Sequence, residues 1–337
     1  MAQSDQVVQN ATFPSVRADI NDNLAALYSQ SSGNSAPTVT VAFQPWIDTS
    51  SSPPTWKVRN GSNSAWITIG ILDPAQFQVN GLISGVNAII NGNPIINQRG
   101  YASGTATTTA NQYTLDRWKV VTSGQSITWT DSGNVRTVTA PAGGVEQVIE
   151  GINLITGTYT LNWTGTASAT IAGTSVAKGG NVSITGGTDT TVRFSSGTFS
   201  LVQFESGTAV TPFERRSYGQ ELALCQRYFE TSYPPGVAPG TATSATGWGG
   251  ISLNAGDLYN SYTPTSFHVK KRASPTMIGY AGSNGVQGQL YNVSLAANQG
   301  NIGFRFVSDC GYTMYCSNNA MTAANAFAAN YSADAEL

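Results

Sequence analysis

Charge is what this sequence has least of. Only 10% of its 337 residues are Asp, Glu, Lys or Arg, against about a quarter in an average globular protein, so the surface has to be covered by groups other than ions. Sixteen basic and eighteen acidic side chains leave a net charge of −2. That balance supplies no basic field of the kind that draws a phosphate backbone, and nucleic acid is not an expected partner. Histidine occurs once, at His268. A Ser/His/Asp or Cys/His centre would have to use it, and a zinc site would have to be built almost without imidazole; His268 reads as a strand residue. No GxSxG, Walker-type or paired CxxC pattern is present. Gly179-Gly180 and Gly186-Gly187 read as turns, because no helix and no Lys-Ser/Thr follows them. No cofactor, no metal and no catalysis are expected. The three cysteines, Cys225, Cys310 and Cys316, are odd in number and widely spread, which is not a disulfide framework. No run approaches the ~18 apolar residues of a membrane span, and the opening residues lack the charged and apolar regions of a secretory signal. The expectation is a chain made in cytoplasm, without membrane insertion, that leaves by lysis if it acts outside.

What fills the sequence instead is Gly (36 residues) with Thr, Ser and Asn, a composition of short strands and tight turns. The expected class is mainly β: an N-terminal helix and a small β-meander, then a β-sandwich (jelly roll) and a C-terminal β domain with one packed helix. Residues 1–34 carry the first helix, expected over 15–28. Phe13, Val16, Ile20, Leu24 and Leu27 recur at intervals of three, four, four and three, which places them on one stripe. A lone helix of this length is marginal in water. It needs self-association about a threefold or twofold axis, docking onto another protein, or packing on the next segment of its own chain. Residues 35–73 read as the meander, with Val39, Val41 and Phe43 alternating, three tryptophans (Trp46, Trp56, Trp66) as core, and Asn60-Gly61 as a turn. Residues 74–100 read as a connector, apolar but Gly-rich, most easily satisfied between chains.

Residues 101–215 hold the strongest strand pattern. Tyr159, Leu161 and Trp163 alternate, as do Ala167, Ala169 and Ile171, then Val182 with Ile184, Val192 with Phe194, and Phe199 with Leu201. Glycines divide these runs, as a sandwich requires. Residues 216–337 combine a helix begun near Ser217, with Tyr218, Leu222, Cys225 and Phe229 on one stripe, and further strands in which Phe327, Ala329 and Tyr331 alternate. Cys225 reads as a small core hydrophobe. The basic triplet Lys270-Lys271-Arg272 reads as a solvated strand end without function.

One enzyme class needs little sequence signature, because glycoside hydrolysis asks only for two carboxylates ~5–10 Å apart. Asp116, Asp131, Glu146, Glu150, Glu205 and Glu214 are the candidates, against the reading that they pair with Arg117, Arg136, Arg215 or Arg216. Sugar binding suits the composition better, since pyranose faces stack on aromatics while hydroxyls pair with polar side chains on loops. Trp248, Tyr259, Tyr262, Tyr280 and Tyr291 are the expected ligand-binding group, each with core or interface packing as the alternative.

Several motifs together resemble a known family. The opening run from Val8 through Phe13-Pro14-Ser15-Val16-Arg17 to Leu24, the Ser32-Gly33-Asn34-Ser35-Ala36-Pro37 segment and the Trp46/Trp56-Val58-Arg59-Asn60/Trp66 unit look like the N-terminal virion-attachment region of bacteriophage tail fibres. Ile96-Asn97-Gln98-Arg99-Gly100, Tyr113-Thr114-Leu115-Asp116-Arg117-Trp118, Val202-Gln203-Phe204-Glu205-Ser206-Gly207, Thr211-Pro212-Phe213-Glu214 and Glu221-Leu222-Ala223-Leu224-Cys225-Gln226-Arg227-Tyr228 resemble a carbohydrate-binding-like jelly roll of such fibres. Arg272-Ala273-Ser274-Pro275-Thr276 and Ala333-Asp334-Ala335-Glu336-Leu337 are similar to the family's C-terminal region.

The resemblance implies a receptor-binding homotrimer on the virion surface. Its N-terminus would be fixed to tail or baseplate proteins, and its distal β domain would meet host-surface polysaccharide; the helical stripe of Phe13, Val16, Ile20, Leu24 and Leu27 is the expected surface for virion attachment or oligomerisation. It carries no catalytic residue over. The chain is short beside many fibres, which keeps a head or collar fibre without a ligand open, and a polysaccharide depolymerase stands as a third reading.

Overall fold

A computed structural model describes residues 8, 12–72, 77–79, 85–242, 249–252, 263–293, 295–316 and 326–337. The chain begins with α1 (Phe13–Tyr28), two residues earlier than the stripe alone suggests. Pro14 sits in the first turn, where a missing N–H costs nothing. The helix stops where Gln30 and Ser31 take positive φ. Among the described residues its apolar stripe is largely open: Phe13 is 78% exposed and Leu27 71%, while Val16 is half-buried.

The meander forms as four antiparallel strands in order, β1 (Pro45–Asp48), β2 (Thr55–Arg59), β3 (Trp66–Leu72) and β4 (Phe77–Val79). Trp46 is buried and packs on Trp66 with ring centroids 5.1 Å apart. Lys57 lies over the Trp46 ring and pairs with Asp48 at 2.7 Å. The Asn60-Gly61 turn is a longer loop than a two-residue hairpin, held by Asn60 Oδ1 accepting the backbone N–H groups of Ser64 and Ala65.

The sandwich contains β5 (Gln112–Tyr113), β6 (Lys119–Val120), β7 (Thr128–Ser132), β8 (Val135–Ala140), β9 (Val145–Ile149), β10 (Gly157–Thr164), β11 (Ser168–Ile171), β12 (Thr174–Val176), β13 (Gly180–Ile184), β14 (Thr190–Ser195) and β15 (Gly197–Ser206). One sheet has the order β13-β10-β15-β8-β7 and the other β12-β11-β14-β9-β6-β5. Strands β8 to β15 thus switch between the sheets with the interleaved order of a jelly roll. Alternation decides which side chains turn inward. Val192 and Phe194 of β14 meet Leu161 and Trp163 of β10 and Phe199 of β15 in one core. There Phe194 stacks on Phe199 at 4.7 Å, and Trp118 tilts onto Phe199 at 5.1 Å.

Residues 85–100 are not a connector waiting for another chain. Ile89 and Ile96 are fully buried in this chain's own cores. The segment runs beside β15, with Val202 N–H donating to Gly92 O at 2.8 Å and Ala88 N–H to Phe204 O at 2.8 Å. A Cβ at Gly92 would lie 2.4 Å from Val202 O, so glycine there admits the strand, while isoleucines supply the burial.

The C-terminal part opens with α2 (Tyr218–Gln226), whose Ser217 and Gln220 form a capping box. The helix ends sooner than its stripe suggested: Phe229 begins β16 (Phe229–Thr231). Strands β17 (Gly249–Ser252), β18 (Thr263–Ser266), β19 (Thr276–Ala281), β20 (Gln289–Asn292), β21 (Ala297–Arg305), β22 (Gly311–Cys316) and β23 (Ala326–Asp334) complete one sheet. In it β23 pairs with β16, β17, β19 and β20. Cys225 is buried as a free thiol beside Ile90, Ile96 and Tyr228, where the helix meets the sandwich. The closing residues tie the two parts together. Glu336 pairs with Arg117 and with Arg99, the latter at 3.3 Å, and Tyr113 OH donates to Leu337 O at 2.6 Å.

Candidate functional site

The outer face of the six-stranded sheet carries a polar row set by strand register. Lys119 on β6 stands opposite Glu146 on β9, Glu146 opposite Arg193 on β14, Arg193 opposite Thr170 on β11, and Thr170 opposite Ser175 on β12. The neighbours of these residues in sequence, Val120, Val145, Val192, Phe194, Ala169 and Ile171, face the core. The two-residue period of each strand therefore sends the polar set to solvent. Glu146 Oε2 accepts a hydrogen bond from Arg193 Nε at 2.8 Å and forms an ion pair with Nη2 at 2.6 Å, and Lys119 Nζ lies 3.5 Å from Oε1. Glu146 is nearly buried, whereas the Arg193 side chain is 41% exposed. Around this row a groove of about 480 Å³ is lined by Glu146, Arg193, Thr170, Thr191 and Ser195, with Gly143 and Gly173 at its margin. Its volume falls within the ~300–1,000 Å³ usual for ligand pockets.

None of the six carboxylates considered for hydrolysis stands idle. Asp131 makes a double hydrogen bond with Arg136, both at 2.8 Å. Glu150 pairs with Arg227 at 3.0 Å and Glu146 with Arg193. Glu205 accepts from Thr211 N–H at 3.0 Å. Burial raises the pKa of Glu214, but hydrogen bonds from Gly85 and Asn87 N–H and the Arg216 guanidinium outweigh it and hold the carboxyl below its usual range. Asp116 accepts both from Gln98 N–H and from Gln98 Nε2, at 2.5 and 2.7 Å. Burial, only partly offset by Arg99 and these bonds, pushes it up to about 6. Arg117, offered as a partner for these acids, is taken by Glu336.

Of the five aromatics expected to bind ligand, Tyr280 and Tyr291 lie among the described residues. Trp248, Tyr259 and Tyr262 lie outside the described residues. Tyr280 is turned inward, 8% exposed, with its ring edge-on to Tyr233 at 5.9 Å. It is a core side chain, because its strand β19 pairs along β23 and buries that face. Tyr291 is half-buried in β20.

Sequence reasoning missed a second cluster. Lys271, assigned to a solvated strand end, is fully buried and pairs with the equally buried Glu230 at 2.5 Å. Its Nζ also donates to Gln226 O and Val269 O. The other Glu230 oxygen accepts from Tyr331 OH at 2.8 Å and meets His268 Nδ1 at 2.8 Å. His268 sits in the bend after β18 and not in the strand, its ring 71% exposed above that carboxylate. Forty-one residues separate Glu230 from Lys271, and nothing local in the sequence links them. Among the described residues no three His, Cys, Asp or Glu side chains gather to hold a metal, and no described helix is long and apolar enough to cross a membrane.

Compared with protein-family models, curated proteins and solved structures, the chain matches none.

Proposed function

We propose that this chain is an adhesive component of a phage virion, a tail-fibre or receptor-binding protein that holds host-surface glycan on its jelly roll and performs no chemistry. The observation that carries the reading is the hydroxyl-lined groove over β9, β14 and β11. Thr170, Thr191 and Ser195 offer donors and acceptors at spacings fixed by a rigid sheet, which suits a polyhydroxylated ligand. The six carboxylates considered for hydrolysis each hold a structural partner, which supports binding over turnover. Support for attachment comes from α1, where Ile20 and Leu24 are each 44% exposed between the still more exposed Phe13 and Leu27. An apolar stripe of this kind fits a homotrimer or docking onto another virion protein.

Two measurements test the reading. A glycan array probed with the whole chain should give saturable binding to at least one surface polysaccharide, weakened when Thr170 and Thr191 are both changed to Val. Immunogold labelling should place the chain on virions. An array with no saturable partner, or a stable monomer at micromolar concentration that is absent from particles, overturns the proposal.

A further inference from the structure

We infer that the ligand of the groove is an anionic sugar, a glycan unit bearing a carboxylate, and that Arg193 is the residue that selects it. The inference rests on the glycan-binding reading above and narrows it. Three observations converge. Two cations, Lys119 and Arg193, share the one carboxylate of Glu146, so the row holds one more positive than negative side chain. Arg193 donates Nε to Glu146 Oε2 and holds Nη2 in ion-pair contact with the same oxygen, while Nη1 has no hydrogen-bond partner among the described residues. Lys119 is spoken for: its side chain is 12% exposed and its Nζ also donates to Leu337 O. The available charge on this face therefore belongs to the exposed Arg193.

The third observation is the make-up of the lining. Among the described residues no aromatic ring borders the groove, so the affinity these residues supply comes from polar and charged groups and not from stacking on a pyranose face. Glu146 fixes the guanidinium in one orientation, which lowers the entropy cost of meeting a carboxylate, and charge-assisted hydrogen bonds are the strong ones. The hydroxyls of Thr170, Thr191 and Ser195 then face the ring hydroxyls. Because Glu146 is itself neutralised, the entering carboxylate meets net attraction.

The test uses the whole chain and calorimetry against a panel of uronic- and sialic-acid oligosaccharides, each beside its carboxyl-reduced counterpart. At least one acidic member is expected to bind saturably, with its reduced counterpart about ten- to a hundred-fold weaker, the factor a charge-assisted hydrogen bond provides. R193Q is expected to lose the same factor while keeping the wild-type circular dichroism, and R193K to keep part of the preference. Should R193Q fold poorly, the native-against-reduced comparison on the wild-type chain decides alone. Equal affinity for the acidic and reduced forms, or an R193Q variant that still discriminates, overturns the inference and leaves neutral-glycan binding standing. Failure of every saccharide, acidic or neutral, overturns both.

Discussion

The Lys271→Met substitution exposes how much the C-terminal domain depends on a single buried ion pair. Both partners are without solvent contact, and all three protons of the ammonium are used, on Glu230 Oε2, Gln226 O and Val269 O. Methionine fills a similar length but removes the charge, leaving a carboxylate oxygen and two carbonyls unsatisfied inside the protein. Breaking a buried pair from one side costs about 3–5 kcal/mol. Glu230 keeps the Tyr331 hydroxyl and the His268 donors on its other oxygen, which puts the expected loss near the low end, ~3 kcal/mol. That corresponds to a fall in melting temperature on the order of 10 °C.

A double variant, E230M with K271M, should recover much of the loss, since the stranded charge is the main penalty. The pH dependence gives a second check. Burial pushes the Glu230 pKa up, but the Lys271 and His268 hydrogen bonds outweigh it and hold the group below its ordinary 4.5. A carboxylate with a depressed folded pKa contributes stability that is present above the unfolded value and is lost as pH falls through the folded one. Without Lys271 its pKa climbs, protonation relieves the stranded charge, and the gap between variant and wild type should narrow from pH 7 toward pH 5. Urea titrations at both pH values measure this. A K271M chain as stable as wild type, or a gap that widens on acidification, would refute the reasoning.

Three further outcomes are expected. Asp116, raised from 3.8 to about 6, binds its proton more tightly in the folded state, so its contribution is present below pH 3.8 and fades as pH rises through 6; stability of D116N should lack this ~3 kcal/mol fall, read from denaturation midpoints between pH 4 and 7. Gly100 has φ +61 and its added Cβ would lie 2.2 Å from Ala238 N, so Gly100→Ala should destabilise by more than about 1 kcal/mol, seen as a lowered thermal midpoint. Ile20→Asp with Leu24→Asp places charge on the exposed stripe of α1 and should convert an oligomer to monomer by light scattering, with the β-sheet circular dichroism of the remainder unchanged.

Local pattern made much of the architecture legible. The alternating runs at Tyr159-Leu161-Trp163, Ala169-Ile171, Val192-Phe194 and Phe327-Ala329-Tyr331 all fall in strands, because a period of two leaves one face to bury. Ser217 before an apolar stripe marked the start of α2. The candidate site was legible only in its parts. Thr170, Glu146 and Arg193 each fall at an outward position of an alternating strand, but that they form one row depends on β11, β14 and β9 being neighbours.

The sequence by itself determined the class, the placing of the first helix and the inward set of β10, β11 and β14, since these follow from spacing and propensity along a few consecutive residues, whereas in β15 Leu201 takes positive φ and Val202 and Phe204 join Phe199 in the core instead. Only the tertiary structure decided that residues 85–100 lie in the chain's own core, that Tyr280 turns inward, and that Lys271 leaves the surface to meet Glu230. Those outcomes depend on partners tens to more than a hundred residues away, chosen by sheet register and by the need to pair every buried polar group, and no local period encodes them.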